Sequence, residues 1–296
     1  MYKRQIDAKT EDFLLKQGTI WDGKYLHDLY KEAYTPWEWH AELFETSKQE
    51  GLICFSSPFD KSAVDLLESL DSPAYKIASF EITDIPLIEY VASKGKPVII
   101  STGIATMEDI QLAIDACKKQ NNNQVILLQC TSSYPAPIEE ANLIMIKEMR
   151  EKFGVITGLS DHTMSIIAPV VATAYGAKII EKHFIIDRSI GGPDASFSLD
   201  EHEFTTMVNA VREAEKSMGC IKYKLSSEEI SGRDFSRSLY VVKDVKASDF
   251  ITEENVRSIR PGFGMHPKHL PEILGKKFAT DLKKGTRLEW SSVAGV

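Results

Sequence analysis

The chain has 296 residues, of which 43% are hydrophobic and 26% are charged, a composition typical of globular proteins that excludes extended disorder. The net charge of −8 argues against binding to nucleic acid or to an anionic membrane surface. The N-terminal segment lacks the apolar stretch of a signal peptide, and no apolar run reaches the ~18 residues of a membrane span, so the sequence predicts a cytoplasmic protein.

Residues 1–34 contain an acidic helical run and the loop GTIWDGKYL but no convincing strand. From residue 50 onward, short β-branched runs alternate with longer amphipathic runs, which is typical of repeated βα units. The pattern predicts six strands, at residues 52–56, 74–79, 97–102, 125–130, 154–160 and 178–184. It predicts helices near residues 36–50, 60–70, 84–94, 106–119, 138–152, 165–175 and 199–217. Because the strands are apolar on both faces, they indicate a parallel sheet.

Polar side chains end nearly every predicted strand, as in barrel enzymes that collect their chemistry at the carboxyl ends of the strands. A dinucleotide-binding fold would need a GxGxxG turn, which the sequence lacks. We therefore predict an α/β fold of the (β/α)8 TIM-barrel type rather than a doubly wound sheet. About six strands are predicted rather than the eight of a complete barrel, and residues 1–34 show no convincing first or second strand.

The domain organisation is expected to comprise a TIM-type barrel over residues 1–220, a polar linker over 221–236 and a small β-rich domain over 237–296. The β-rich segment holds 11 Lys and Arg against 7 Asp and Glu, a charge of +4, so the rest of the chain carries −12. A basic module on an acidic body suits the binding of an anionic substrate, and an ordinary solvated surface is the alternative.

His162 and His183 end two consecutive predicted strands and lie 21 residues apart, which is one βα unit. This spacing places both imidazoles at the same rim of the sheet. Two neutral imidazoles with open positions suit Mn²⁺, Fe²⁺, Co²⁺ or Zn²⁺, with water or substrate oxygen completing the shell. The alternative is two unrelated, hydrogen-bonded histidines.

A second group of side chains at strand ends carries cationic or hydroxyl donors, namely Lys76, Ser79, Ser101 and Ser160. Together they suit a phosphate or carboxylate, although each serine alone is typical of a helix N-cap and Lys76 alone of a solvated charge.

Asp194 follows the last predicted strand, where it either accepts hydrogen bonds from sugar hydroxyls or caps the helix near Ser198. Tyr134 either lies over the rim or packs in the core.

These motifs in combination resemble the sialic acid synthase family. The matching strings are GTIWDGKYLHDLYKEAYTPWEWH, FSSPFD, AYKIASFEITDIPLI, VIISTGIAT, LLQCTSSYPAP, GLSDHT, EKHF and GGPDASFSL. The last 60 residues, with RSLYVVKDV and SIRPGFGMHP, look like the antifreeze-like (SAF) domain of that family. The TPWEWH segment is more similar to the pseudaminic branch of the family than to the N-acetylneuraminate branch.

The resemblance implies an enzyme that condenses phosphoenolpyruvate with the open-chain aldehyde of an N-acetylated amino sugar of the 6-deoxy-AltdiNAc type. The products are a nine-carbon 2-keto sugar acid and phosphate. The resemblance also implies that His162 and His183 bind a divalent metal, Mn²⁺ before Mg²⁺ or Co²⁺, which polarises the aldehyde oxygen.

Further site residues are implied by the same resemblance. The positions that bind phosphoenolpyruvate match Ser57, Lys76, Ser79, Ser101 and Ser160, and those that contact the sugar match Glu81, Tyr134 and Asp194. Ser132 joins the substrate-binding residues, although the sialic branch usually has asparagine there. Arg260 matches an arginine that reaches into the barrel of a neighbouring subunit, which implies a domain-swapped homodimer. Of these residues, the ones expected to take part in catalysis are Lys76, Glu81, Asp194 and Arg260.

The chain departs from the family pattern at its start. An E-x-x-x-N-H motif and a K-x-Q-T motif are absent, and with them a glutamate expected as general base and a lysine expected to bind phosphate. We therefore expect a member without the first two barrel strands, whose gapped barrel is unstable or inactive by itself. The alternatives are an N-acetylneuraminate or legionaminate synthase, or a non-catalytic chain that binds sugar, metal or a full-length partner.

Overall fold

The structure, a computed structural model, describes residues 5–16 and 18–295. The chain divides into two compact units, Met1–Gly219 and Cys220–Val296, each with a hydrophobic core of its own. Within the described ranges, every helix is too short or too polar to cross a membrane.

The first unit is built on a parallel sheet of five strands in which each strand pairs with the next one along the chain. This order is that of a barrel wall, so the predicted TIM-barrel type is confirmed, with five strands forming a half-barrel. The strands are β1 Tyr75–Ile77, β2 Val98–Ser101, β3 Val125–Cys130, β4 Ile156–Asp161 and β5 Ile180–Lys182.

Eight α-helices belong to this unit among the described residues. They are α1 Leu26–Ala33, α2 His40–Gln49, α3 Lys61–Ser69, α4 Ile85–Ala92, α5 Met107–Lys119, α6 Met145–Phe153, α7 Ile167–Ala174 and α8 Glu201–Met218. The seven helices predicted from residue 36 onward correspond to α2–α8. Within the described part of residues 1–34, where the sequence indicates an acidic helical run, the one α-helix is α1. Thr106 and Asp200 begin α5 and α8 with capping boxes, in which the side chain of each accepts from a backbone N–H three residues later.

The predicted strand at residues 52–56 is wrong. This segment forms only one isolated parallel bridge, between Ser56 and Tyr75. Leu52 and Ile53 are 67% and 79% exposed. The apolar run has the composition of a buried strand, but no described strand lies on its other side to bury it, so pairing does not extend beyond Ser56.

Residues of the strands alternate between two environments, because successive side chains of a strand point to opposite faces. One face packs against the helices and forms the core, which contains Tyr75, Ile77, Val98, Ile100, Val125 and Leu127 with α-helical residues such as Ile88 and Ile114. The polar residues Lys76, Ser101 and Cys130 alternate with them. They therefore lie together on the opposite face, which is the interior face of the half-barrel.

The second unit has a small antiparallel sheet, β6 Ser238–Val241 with β7 Val256–Ile259, and two short helices, α9 Ser227–Gly232 and α10 Leu270–Ile273. Its core contains Leu239, Val241, Val256, Phe278 and Leu288, all at most 1% exposed. Helix α9 lies in the segment 221–236 that the sequence predicts as a linker.

Candidate active site

The register of the sheet places polar side chains in a row on the interior face. Ser160 of β4 is the register partner of Cys130 in β3 and of Glu181 in β5. His162 and His183 come two residues after Ser160 and Glu181, so they continue the same face beyond the strand ends. The centroids of the two imidazole rings are 5.2 Å apart. The prediction that both histidines share one rim is therefore confirmed.

Lys76 of β1 lies on this face as a buried cation. Its side chain is 8% exposed, and its Nζ lies 3.8 Å from Oε2 of Glu181. The Ser160 hydroxyl donates to Oε1 of the same carboxylate at 2.5 Å. The pKa of Lys76 is below its ordinary value because burial disfavours the charge more than the charges of Glu181, Cys130 and Glu81 favour it. Lys76 is not the solvated charge of the alternative interpretation.

Two hydroxyl oxygens of the predicted site, those of Ser101 and Ser132, are buried and make no hydrogen bond to any described residue. A buried polar group without a partner costs about 1–3 kcal/mol, which a ligand that accepts hydrogen bonds offsets. Among the described helices, α4 and α5 are capped by Asp84 and Thr106 rather than by the predicted serines. The donor set thus fits a phosphate or carboxylate better than it fits helix capping.

Gly103 follows β2 and packs directly against this hydroxyl cluster. Its N–H donates to Oγ of Ser79 at 3.1 Å. A Cβ atom at this position would lie 2.1 Å from Oγ of Ser132, 2.9 Å from Oγ of Ser79 and 3.2 Å from Sγ of Cys130. Only glycine lets the backbone approach the three side chains so closely.

The surroundings of the two histidines fit a divalent metal. Nδ1 of His162 lies 2.9 Å from the carbonyl oxygen of Thr131, a contact in which the ring nitrogen donates. Nδ1 of His183 lies 3.5 Å from Oδ2 of Asp194. Metal-binding histidines commonly direct one ring nitrogen to a carbonyl or carboxylate. With Nδ1 occupied in this way, Nε2 is the nitrogen that each ring, when neutral, presents to a metal.

The pKa values of the two histidines shift in opposite directions. Burial lowers the pKa of His183, with Asp194 acting against it. Burial also acts to lower the pKa of His162, but the contacts of this ring with Cys130 and Thr131 outweigh it and raise the pKa. The pKa of the Cys130 thiol shifts the other way from that of His162. Its contacts with His162 and Ser79 lower this pKa, although burial acts to raise it. Two adjacent imidazoles thus have different proton affinities.

An aromatic cluster covers the histidines. The Tyr134 ring lies 4.4 Å from the His162 ring and 5.2 Å from that of Phe197, centroid to centroid. The Phe197 ring lies 4.9 Å from that of His183. Trp21 adds a third ring, 5.5 Å from Tyr134. Tyr134 therefore packs against other aromatic rings and also lies over the rim beside His162, so the two alternatives for this residue do not exclude each other.

Three other predicted residues lie near the same face. Asp194 makes no side-chain cap, since the hydroxyl of Ser198 donates to its backbone carbonyl instead. Glu81 is in the turn after β1, and its charge acts on both Lys76 and Tyr134. Ser57 is half-buried and follows the bridge at the edge of β1.

Arg260 belongs to the second unit, directly after β7. It is exposed and lines an open groove of about 750 Å³ with residues that include Tyr223, Arg233 and Phe235. Within the described ranges, no carboxylate lies within ion-pair distance of its guanidinium.

Sequence reasoning assigned no role to several residues of this face. Glu181 was among the polar residues at the predicted strand ends, because it alternates with His183 along the strand. Gly103 and Trp21 had no such signal, since their contacts join segments far apart in the chain. Asp161 and Lys182 alternate with the site residues and form an ion pair behind them, with Nζ–Oδ2 at 2.6 Å and side chains 2% and 0% exposed.

In the part of the chain that the structure describes, one cluster of three groups has the spacing of a metal site, namely Asp7, His27 and Asp28. The ammonium of Lys9 hydrogen-bonds Asp28 and lies 3.8 Å from Asp7. The ammonium of Lys9 thus already offsets one of the two carboxylate charges.

Comparison with known proteins covers nearly the whole chain. The NeuB family model matches residues 2–223, and the SAF domain model matches residues 236–294.

Individual proteins are also similar to the chain. The pseudaminic acid synthase of Campylobacter jejuni serotype O:2 is 48% identical over 284 residues, covering 96% of this chain and 82% of the relative. The pseudaminic acid synthase of Helicobacter pylori is 46% identical over 284 residues, with coverage of 96% and 83%. The crystal structure of N-acetylneuraminic acid (sialic acid) synthetase from Leptospira borgpetersenii, in complex with citrate, has a TM-score of 0.66 and 34% identity. It covers 70% of this chain and 74% of that one.

Proposed function

The chain belongs to the NeuB family and is an enzyme of the sialic acid synthase type, and from this premise we propose that it makes pseudaminic acid. The reaction joins phosphoenolpyruvate to the open-chain aldehyde of an N-acetylated amino sugar of the 6-deoxy-AltdiNAc type. Sequence identity of 46–48% to two pseudaminic acid synthases supports this sugar over that of other branches.

One observation carries the proposal. The interior face of the half-barrel holds a buried cation, Lys76, and two buried hydroxyls without partners, Ser101 and Ser132, beside two imidazoles. A cation and hydroxyl donors stabilise an anion, and imidazoles suit a divalent metal. Phosphoenolpyruvate is an anion with both a phosphate and a carboxylate, so it uses more than one of these donors at once.

Each group of residues has a proposed role. Lys76 binds the phosphoenolpyruvate anion together with hydroxyls of Ser57, Ser79, Ser101, Ser132 and Ser160. Glu181 lies beside Lys76 and accepts the hydroxyl proton of Ser160, so it orients the lysine, and the Ser160 O–H turns from Glu181 to the anion when phosphoenolpyruvate binds. Fixing both ends of the small anion directs its C3 atom to the aldehyde, which is a positioning effect.

The sugar lies on the aromatic side of the site. Tyr134 presents its ring and hydroxyl, and Asp194 and Glu81 accept hydrogen bonds from sugar hydroxyls. Arg260 of a second copy completes the site in a domain-swapped homodimer. Its exposure and its lack of an ion pair within the described residues support this role, since the guanidinium is available to a ligand or partner.

His162 and His183 hold a divalent metal, Mn²⁺ before Mg²⁺ or Co²⁺. When bound, such an ion polarises the aldehyde oxygen and orients the water that attacks C2. Thr131 and Asp194 keep the two imidazoles in the required orientation through Nδ1.

The bonds of the reaction balance with water as the third reactant. C3 of phosphoenolpyruvate forms a bond to the aldehyde carbon, whose oxygen takes one proton of the water and becomes a hydroxyl. The remaining hydroxide adds to C2, the original C2–O bond breaks, and that oxygen leaves with phosphorus as inorganic phosphate, which takes the second proton. The 2-keto sugar acid remains.

A phosphate-release assay tests the proposal. The chain is incubated with Mn²⁺, phosphoenolpyruvate and each sugar in turn, namely the 6-deoxy-AltdiNAc type and the substrates of N-acetylneuraminate and legionaminate synthases. We expect phosphate release with the first sugar. Release only with another sugar supports that synthase instead, and no release with any sugar supports a non-catalytic binding protein.

A matched pair of lysine variants identifies the anion site. Lys76→Met removes the buried charge, and we expect at least about a 100-fold loss of kcat/KM for phosphoenolpyruvate, since a charged hydrogen bond contributes about 1.5–3 kcal/mol and burial adds to this. Lys118→Met removes an exposed lysine of α5 and should leave kcat/KM unchanged. Equal effects of the two substitutions would contradict the proposed role of Lys76.

A further inference from the structure

Asp194 is carried by a short loop with unusual backbone freedom. Gly191 and Gly192 have φ values of 74° and 117°, in the region that favours glycine. A loop with two such glycines has many accessible conformations. The Asp194 side chain is 51% exposed, yet its Oδ2 lies 3.5 Å from Nδ1 of His183. The loop has hydrogen bonds of its own, such as that of the Ser198 hydroxyl to the Asp194 carbonyl oxygen, and contacts with other segments add to them in fixing the position of the carboxylate.

Trp21 supplies such a contact. Its indole N–H donates to the carbonyl oxygen of Pro193 at 3.1 Å, across 172 residues of sequence. Pro193 directly precedes Asp194, so this hydrogen bond fixes the backbone beside the carboxylate. The same indole lies against the rings of Tyr134 and Phe197, with centroids 5.5 Å and 6.4 Å apart. One side chain thus contacts both the loop and the aromatic cluster over the histidines.

Hydrogen bonds join the residues before Trp21 to the residues after it. The Asp22 carboxylate accepts hydrogen bonds from the backbone N–H of Gly18 and of Thr19, at 2.9 and 3.0 Å. The backbone N–H of Leu15 donates to the carbonyl oxygen of Lys24, and the backbone N–H of Gly23 donates to the carbonyl oxygen of Leu15. Trp21 therefore projects from a hydrogen-bonded turn, and a turn of this kind can hold another loop in place.

We propose that Trp21 is a positioning residue that holds the Asp194 loop and the Tyr134 ring over the two histidines, and so sets the affinity for the sugar substrate. The part about the sugar rests on the proposed function. The contacts of Trp21 lie on the aromatic side, with Tyr134, Phe197 and Pro193, and not with the serines around Lys76. Its loss should thus affect the sugar much more than phosphoenolpyruvate.

Steady-state kinetics test the proposal. Trp21→Phe keeps an aromatic ring but removes the N–H donor, and we expect the KM for the sugar to rise about fivefold, as for one lost hydrogen bond. Trp21→Ala also removes the ring and should raise this KM further. The KM for phosphoenolpyruvate should stay within twofold in Trp21→Phe. Trp39→Phe is the matched control, because Trp39 is 57% exposed, and it should change neither KM.

Hydrogen exchange gives a readout that does not depend on catalysis. We expect the backbone amides of residues 190–192 and 194–197 to exchange faster in Trp21→Phe than in the unchanged chain, and at the unchanged rate in Trp39→Phe. Unaltered exchange in Trp21→Phe would overturn the proposal, as would an equal rise of both KM values. If the unchanged chain has no synthase activity, the proposed function fails, and the exchange experiment alone decides whether Trp21 holds the loop.

Discussion

At the scale of single residues, Gly103 shows how closely the side chains of the proposed anion site pack. Its missing side chain is what allows the hydroxyls of Ser79 and Ser132 to approach the backbone. We expect Gly103→Ala to cost about 1–3 kcal/mol of the free energy of unfolding, the usual effect of an added group in a packed site. Urea denaturation measures this cost. The displaced hydroxyls should also raise the KM for phosphoenolpyruvate.

A second substitution shows whether the clash is the cause. The nearest atom to a Cβ on residue 103 is Oγ of Ser132, at 2.1 Å. Removing that oxygen with Ser132→Ala in the Gly103→Ala background should recover part of the lost stability. If the double variant is as unstable as the sum of the single variants, the collision with Ser132 is not the origin of the effect.

The sequence predicted the residues of the site that follow from strand ends. Lys76, Ser101, Ser160, His162 and His183 were found because parallel strands bring their carboxyl ends to one rim. The residues that pack around these side chains could not be predicted from strand ends. Contacts such as that of Trp21 with Pro193 join positions 172 residues apart, and no local pattern records them.

At the scale of elements, β4 and β5 are joined behind the histidines by the ion pair of Asp161 and Lys182. Both side chains are buried, and the Asp161 carboxylate also accepts from the backbone N–H of Thr163. We expect Lys182→Met to destabilise the protein by about 3–5 kcal/mol, because it leaves a buried carboxylate without its cation. Chemical denaturation of the first unit measures this loss.

Two further variants separate the buried charge from the loss of packing. Asp161→Asn together with Lys182→Met removes both charges and keeps an acceptor for Thr163, so it should be more stable than Lys182→Met alone. Lys119→Met breaks the exposed ion pair of Lys119 with Glu89 and should change stability by less than about 1 kcal/mol. A double variant no more stable than Lys182→Met would contradict the account.

Helices and strands were predictable to different extents. Helices α2–α8 and strands β1–β5 follow from periodicity, and capping boxes such as that of Thr106 mark where helices begin. The segment at residues 52–56 shows the limit of this reasoning. Its apolar run suits a strand, but a strand also needs a neighbour on each side to be buried, and sequence composition does not report the neighbour.

At the scale of the whole molecule, the chain combines a half-barrel unit with a small SAF unit. The change from βα repeats to a β-rich, basic segment allowed the sequence to indicate two domains. The second unit has its own core around Phe278, which is 1% exposed.

We expect residues 220–296 alone to fold with a cooperative thermal transition. We expect Phe278→Ala to abolish that transition, since the substitution costs about 3–5 kcal/mol in a small domain. A fragment that melts without cooperativity would contradict an independent core.

The proposed function places a divalent-metal site at His162 and His183, on the face proposed to bind the anionic substrate. Titration with Mn²⁺, followed by the electron paramagnetic resonance signal of the free ion, tests it most directly. We expect His162→Ala and His183→Ala each to weaken binding at least about tenfold, because changes in the groups around metal ligands alone cost about 10–100-fold. His202→Ala, which removes an exposed histidine of α8, should bind Mn²⁺ as the unchanged chain does. Unchanged Mn²⁺ affinity in both site variants would contradict the account.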